Sequence, residues 1–300
     1  MTMFIDAIQA LILLMAAPLV VGVIKKAKAR LQNRRGPVLR QLYYDILKLL
    51  AKDSVESPTV SWIFRITPYI YFTAALAAAA FLPIWLYGGG FANDLLVFIY
   101  LLAAGRFFLV LSSLDAGSAF GGMGGSREMF ISVLVEPVLL LAMLTVAVRS
   151  GSTNLFAMAG TAMQETFSLS YFFAAGAFFI VMLAESGRIP VDNPDTHLEL
   201  TMIHEGMVLE YSGRPLGLIF WAAALKQLIL ILLFVLLFVP WPSFGAGSLL
   251  LQGISIVVKV VLVAVSLAVA ETVTNKMRLF KVPNFMALSG LLSLLALAAQ

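Results

Sequence analysis

Eight apolar runs, each close to the length that crosses a bilayer core, constrain this 300-residue chain more than anything else in it. A helix needs about 20 mostly apolar residues to cross about 30 Å of hydrocarbon. The runs lie at about 4–24, 66–87, 94–114, 129–149, 169–187, 217–240, 249–272 and 283–299, the last being the shortest. The links YGGGFAND, DAGSAFGGMGGSRE, RSGSTN and PWPSFGAGS between runs read as turns. Only 12% of residues are charged, about half the share of a soluble domain. The expected fold class is an all-α integral membrane protein, one polytopic domain over 1–300. The first run lacks a basic segment ahead of it, so it reads as a retained span rather than a cleaved leader.

Charge sets the expected orientation. Ten basic residues fall between Lys25 and Arg65, and alternate loops add Arg127, Arg188, Arg214, Lys276, Arg278 and Lys281. The opposite side holds Arg149 only. Cytoplasmic loops are enriched in Lys and Arg, so both termini are expected on the non-cytoplasmic side. No internal repeat is evident, which weighs against inverted-repeat transporters.

Composition removes several chemistries. The chain has no cysteine and two histidines, both in one short segment. It therefore cannot ligate an iron–sulfur cluster by thiolates or hold paired membrane haems. No cofactor and no metal are expected, nor is an active site of its own.

Four charges fall inside predicted spans: Arg106, Glu136, Lys226 and Lys259. Each is costly at mid-bilayer unless paired or wetted, which makes such residues candidates for ion pathways. Glu136 precedes Pro137, which loosens the local helix. Arg106 reads as structural, holding Asp115 or a carboxylate from another span. Lysines can also snorkel to the interface.

Between the fifth and sixth runs lies ESGRIPVDNPDTHLELTMIHEGMVLEYSG. It carries Glu185, Asp192, Asp195, Glu199, Glu205 and Glu210, with His197 and His204. Glu185 and Arg188 are spaced to pair on one helix face. Thr196 and Glu199 form a capping-box pattern that predicts a short helix. The histidines lack the spacing and companion ligands of a metal site. Two readings stay open: a solvated loop balancing the basic side, or titratable groups leading into the membrane. Closely spaced carboxylates cannot all ionise cheaply, a property that a proton relay uses. The first loop contains GPVLRQLYYDILKLLAKDS, where Leu39, Leu42, Ile46, Leu49 and Leu50 recur at helical spacing. That predicts an interfacial helix presenting Asp45 and Lys48.

Five motifs in order carry a resemblance. They are RLQNRRGP, the Asp45–Lys48 helix, SREMFISVLVEP, AESGRIPVDNPDTHLELTMIHE through LEYSG, and Lys259 with ETVTNKMRLFKVP. Together they resemble the subunit-1 family of respiratory complex I. They are most similar to its branch in complex-I-like membrane-bound nickel–iron hydrogenases. Two features favour that branch. The loop before EYSG is longer than in complex I, and Glu271 stands where complex I has a basic residue.

The resemblance implies a subunit that docks a peripheral redox arm and couples it to H⁺ or Na⁺ movement. Glu136, Glu185, Asp192, Asp195, Glu199, Glu205, Glu210, Lys226 and Lys259 become relay candidates. Arg34, Arg35, Asp45, Lys48, Arg127, Arg188, His197 and His204 become arm-interface candidates; whether the histidines also carry protons stays open. Expected partners are hydrogenase large and small subunits, an iron–sulfur subunit, antiporter-like membrane subunits and membrane lipid, but no nucleic acid. The expected location is the inner membrane of a prokaryote. The alternatives are a quinone-chamber subunit of an NADH:quinone oxidoreductase, an independent secondary transporter and a pure membrane anchor.

Overall fold

The computed structural model describes residues 2–84, 93–164, 168–192, 202–241 and 249–299. Its long apolar helices are α1 (Thr2–Leu31), α3 (Trp62–Ala80), α4 (Leu95–Asp115), α5 (Ala119–Ser150), α7 (Leu169–Glu185), α9 (Gly213–Phe238), α10 (Leu249–Val273) and α11 (Val282–Ala298). Three short helices join them: α2 (Gln41–Leu50), α6 (Leu155–Gln164) and α8 (His204–Val208). The expected all-helical membrane fold is therefore observed. Among the described residues seven helices are long and apolar enough to cross a membrane. The short span is α7, at 17 residues. The last run instead reaches back through a 3₁₀ turn, giving 20 residues from Leu279 to Ala298.

The centre is α9, buried at every residue from Ala224 to Phe238. A helix apolar all round belongs inside a bundle. α1 packs on α10, α9 and α3; α3 lies against α4 and α9; α7 sits between α5 and α11. Serine hydroxyls tie α7 to α11: Ser170 donates to Ala296 O at 2.7 Å and Ser289 to Ala177 O at 2.8 Å. The predicted interfacial helix is α2, laid on α9 with Ile46 buried.

Two proline breaks are repaired in the same way. Pro18 in α1 cannot donate to the carbonyl four residues back, so Leu14 O is freed. The Trp221 indole N–H donates to it at 2.9 Å. Pro68 in α3 frees Phe64 O, to which the Tyr211 hydroxyl donates at 2.9 Å. Tyr211 also stacks on Phe64 with ring centroids 3.9 Å apart. Freed carbonyls within a membrane need such donors.

Two segments depart from the sequence reading. The glycine-rich link read as a turn is the first part of α5, which starts at Ala119 rather than near 129. Ser118 caps it, accepting from Gly121 N at 3.1 Å. A side chain at Gly124 would lie 2.9 Å from Ile203 O, so this stretch is a close-packing face against α8. The second is α6, in a stretch where no helix was expected.

Candidate functional site

Arg106 sits in mid-α4, buried, and forms the hub of an ion cluster. α5 presents Glu128, Ser132 and Glu136 at four-residue spacing, hence on one face. Arg106 Nη1 lies 3.4 Å from Glu136 Oε1 and donates to Ser132 Oγ at 2.8 Å. Its Nε lies 3.8 Å from Glu128 Oε1. From the end of α7, Glu185 contacts Arg106 directly and pairs with Lys226 of α9 at 2.9 Å. Four helices thus bring two cations and three carboxylates together. Burying such charges costs several kcal/mol per ion unless each is paired, as here.

Glu185 and Arg188 do not pair, contrary to their spacing. α7 ends at Glu185, and Gly187 takes a left-handed φ of 58°. Arg188 N then bonds Leu183 O at 3.1 Å, a glycine-closed helix end. The chain turns and sends Arg188 elsewhere. Its Nη1 lies 3.3 Å from Glu271 Oε1 in α10, and its Nη2 donates to Gln227 at 2.8 Å. Lys28 at the end of α1 approaches Glu271 at 3.2 Å. This is a second buried cluster, with one carboxylate between two cations among the described residues. It puts Arg188 inside the chain rather than on an outer face.

Asp192 is buried and organises the segment before α8. Its Oδ2 accepts from Ile203 N and His204 N, each at 3.3 Å, and Lys276 Nζ donates to Oδ1 at 3.0 Å. Arg127 Nη1 donates to Met202 O at 3.1 Å in the same segment. Asp115 does not hold Arg106. It caps α3 instead, accepting from Ser61 N at 2.8 Å.

Three spaces adjoin these groups. A pocket of about 70 Å³ is lined by Tyr71, Arg106, Glu128, Glu185, His204 and Lys226. Beside it is a chamber of about 290 Å³ among α1, α2, α8 and α9, walled by Val21, Leu42 and Phe220 with Lys25, Asp45, Arg188 and Glu205. On the outer face of α4 and α5, a groove of about 460 Å³ runs past Tyr100, Phe107, Met129 and Val133 to Glu136. The Glu136 side chain is 37% exposed there.

Of the relay candidates, Glu136, Glu185 and Lys226 share the Arg106 cluster, and Glu205 lines the chamber. Glu210 is half-buried at the end of the α8 segment. Lys259 stands apart, donating to Pro240 O at 2.7 Å past the end of α9. Arg34, Arg35, Asp45 and Lys48 are exposed on the first loop and α2. Asp195, His197 and Glu199, with the predicted capping box, lie outside the described residues. Arg106 holds carboxylates from other spans, one of its two expected roles; sequence reasoning missed Glu128 and the Lys28–Glu271 pair. The E-x₃-S-x₃-E spacing on α5 was the available signal for Glu128.

These features define a class: a multi-pass, all-helical membrane protein with ion clusters buried between its spans. Residues 5–299 match the family described as NADH dehydrogenase, and the chain belongs to that family. Formate hydrogenlyase subunit 4 of Escherichia coli is 38% identical over 293 residues, covering 95% of this chain and 94% of that protein. Hydrogenase-4 component C of Escherichia coli is 38% identical over 269 residues, covering 88% and 84%. A chain of the membrane-bound sulfane sulfur reductase, an archaeal respiratory membrane complex, shares the fold. Its TM-score is 0.85 at 19% identity, with 99% of each chain covered.

Proposed function

We propose that this chain is the membrane anchoring and ion-coupling subunit of a complex-I-like nickel–iron hydrogenase complex. It docks the peripheral arm at the end of the bundle carrying α2 and α8. It then links electron transfer in that arm to H⁺ or Na⁺ movement. The observation that carries the reading is the continuity of charged groups. They run from the chamber beside α2 and α8, through Glu185, Lys226 and Arg106, to Glu136 on the outer groove. The two hydrogenase-complex relatives, matched over most of their length, favour this setting. The partners are hydrogenase large and small subunits, an iron–sulfur subunit and antiporter-like membrane subunits. The basic loops gathered at the α2 end support a cytoplasmic side for that end, in a prokaryotic inner membrane.

The test is purification from mildly solubilised membranes, followed by one substitution. A nickel-containing large subunit is expected to accompany the chain. Glu136→Gln is expected to leave the complex assembled and to lower hydrogen turnover or hydrogen-dependent ion movement by about tenfold or more. Co-purification with an NADH-oxidising, quinone-reducing arm overturns the reading, and an unimpaired Glu136→Gln complex removes Glu136 from the route.

A second reading, a quinone-chamber subunit, draws on one observation. The chamber of about 290 Å³ has apolar walls at Val21, Leu42 and Phe220 with charged groups among them. Such a mixture suits an amphiphilic ligand. Quinone-dependent turnover by the purified complex favours that reading.

A further inference from the structure

His204 is where the two internal spaces meet. It lies in the wall of the pocket of about 70 Å³ and in that of the chamber of about 290 Å³. Ser186, Gly187, Ala223 and Gln227 share that wall. None of these four titrates. Histidine is the side-chain type that ordinarily exchanges protons near neutral pH.

The backbone at His204 is held by a hydrogen bond, whereas its Nε2 is not. Asp192 holds the His204 N–H, and Lys276 holds Asp192. The imidazole Nε2 is buried and has no hydrogen-bond partner among the described residues. An unsatisfied buried nitrogen is costly, which favours a water or a transferred proton there. The pocket of about 70 Å³ that His204 lines has room for water.

We propose that His204 passes protons between the chamber and the Arg106–Glu185–Lys226 cluster. The proposal rests on the coupling function given above and names the group that makes its first internal step. The chamber that His204 lines also carries Lys25, Asp45, Arg188 and Glu205. The pocket that it lines also carries Tyr71, Arg106, Glu128, Glu185 and Lys226. One proton arrives at a ring nitrogen from water in the chamber. One leaves from the other nitrogen, through water, toward Glu128 or Glu185. No electrons move, and the imidazole returns to its neutral form. The reverse sequence serves flow in the other direction.

The experiment compares His204→Gln, His204→Ala and Glu136→Gln with the natural chain, each as the assembled complex in inverted membrane vesicles. Assembly, hydrogen turnover and hydrogen-dependent ion movement are measured from pH 5.5 to 8. His204→Gln is expected to assemble, to lose about tenfold or more in turnover, and to flatten the pH profile. His204→Ala is expected to recover turnover when imidazole is added, in a saturable way. A merely structural histidine gives neither the flattened profile nor the rescue. Turnover and pH profile like those of the natural chain in His204→Gln overturn the proposal, as does failure of both variants to assemble. If Glu136→Gln is impaired while His204→Gln is not, only the His204 step falls. If neither is impaired, the coupling route falls with it.

Discussion

The two buried ion clusters are built from the same residue types in opposite proportions. Around Arg106, two cations meet three carboxylates, beside a pocket and an open groove. Around Glu271, one carboxylate meets two cations, and its side chain has no exposure at all. The first cluster has a carboxylate to spare and a route outward at Glu136. A proton can join or leave it without stranding a cation. Among the described residues the second shows one carboxylate, Glu271, between Arg188 and Lys28. It fastens the ends of α1 and α10 to the turn after α7. One arrangement suits transfer, the other suits holding.

Arg106→Gln breaks that contrast most severely. It leaves three carboxylates with Lys226 alone. Removing one partner of a buried ionic group costs about 3–5 kcal/mol. The expected outcome is loss of most assembled protein, read as abundance in membranes and thermal stability after solubilisation. Adding Glu185→Gln is expected to restore part of the loss, since the two residues touch and their effects are not additive. If Arg106→Gln is as abundant as the natural chain, the hub is elsewhere.

Glu271→Gln tests the fastener and is expected to cost less, about 2–3 kcal/mol. Arg188 keeps its bond to Gln227. Lys28 is 12% exposed, on a long stem that can turn toward water. Thermal stability is expected to fall, while turnover per assembled complex stays unchanged. A drop in turnover at full assembly would move Glu271 from holding to transfer.

The difference between the clusters also explains what could be read in the sequence. Span number follows from bilayer thickness, a constraint local to each apolar run, so the seven long helices and the shorter α7 were legible. α6 repeats buried Leu155, Met158, Ala159 and Ala162 at helical spacing, but over only ten residues. The glycines opening α5 read as a turn because their purpose, room for α8, belongs to another segment. Ion partners were the least legible. Glu185 and Arg188 look paired until Gly187 reverses the chain between them. Arg106 finds its carboxylates on α5 and α7, a choice made by packing. Intramembrane charge marked Arg106, Glu136 and Lys226 as requiring partners, and the partners came only with the fold.

Each cluster sits near a proline-broken helix, and the two clamps give the smallest effects. Trp221 clamps α1, which carries Lys28; Tyr211 clamps α3, which carries Tyr71 into the Arg106 pocket. Removing either donor, as Trp221→Phe or Tyr211→Phe, is expected to cost about 1–2 kcal/mol, one hydrogen bond to a buried carbonyl. Tyr211→Phe is expected to perturb the Arg106 side, and Trp221→Phe the Glu271 side. The tyrosine clamp carries a pH signature that tryptophan lacks. Burial pushes the Tyr211 hydroxyl up from 10.0 to about 12; the Ser112 and Thr67 hydroxyls oppose this, and Asp115 adds to it. The folded state therefore keeps the proton that the unfolded chain releases above pH 10. The stabilisation is fully present below pH 10 and is lost as pH rises through about 12. Thermal midpoints from pH 9 to 12 are expected to show the natural chain losing its advantage over Tyr211→Phe across that window. Because Trp221→Phe retains Tyr211, the gap to that variant is expected to stay constant, and it closes alike only if the two clamps are coupled through α9. A gap to Trp221→Phe that stays constant while the gap to Tyr211→Phe closes makes the two halves independent, each with its own clamp and its own cluster.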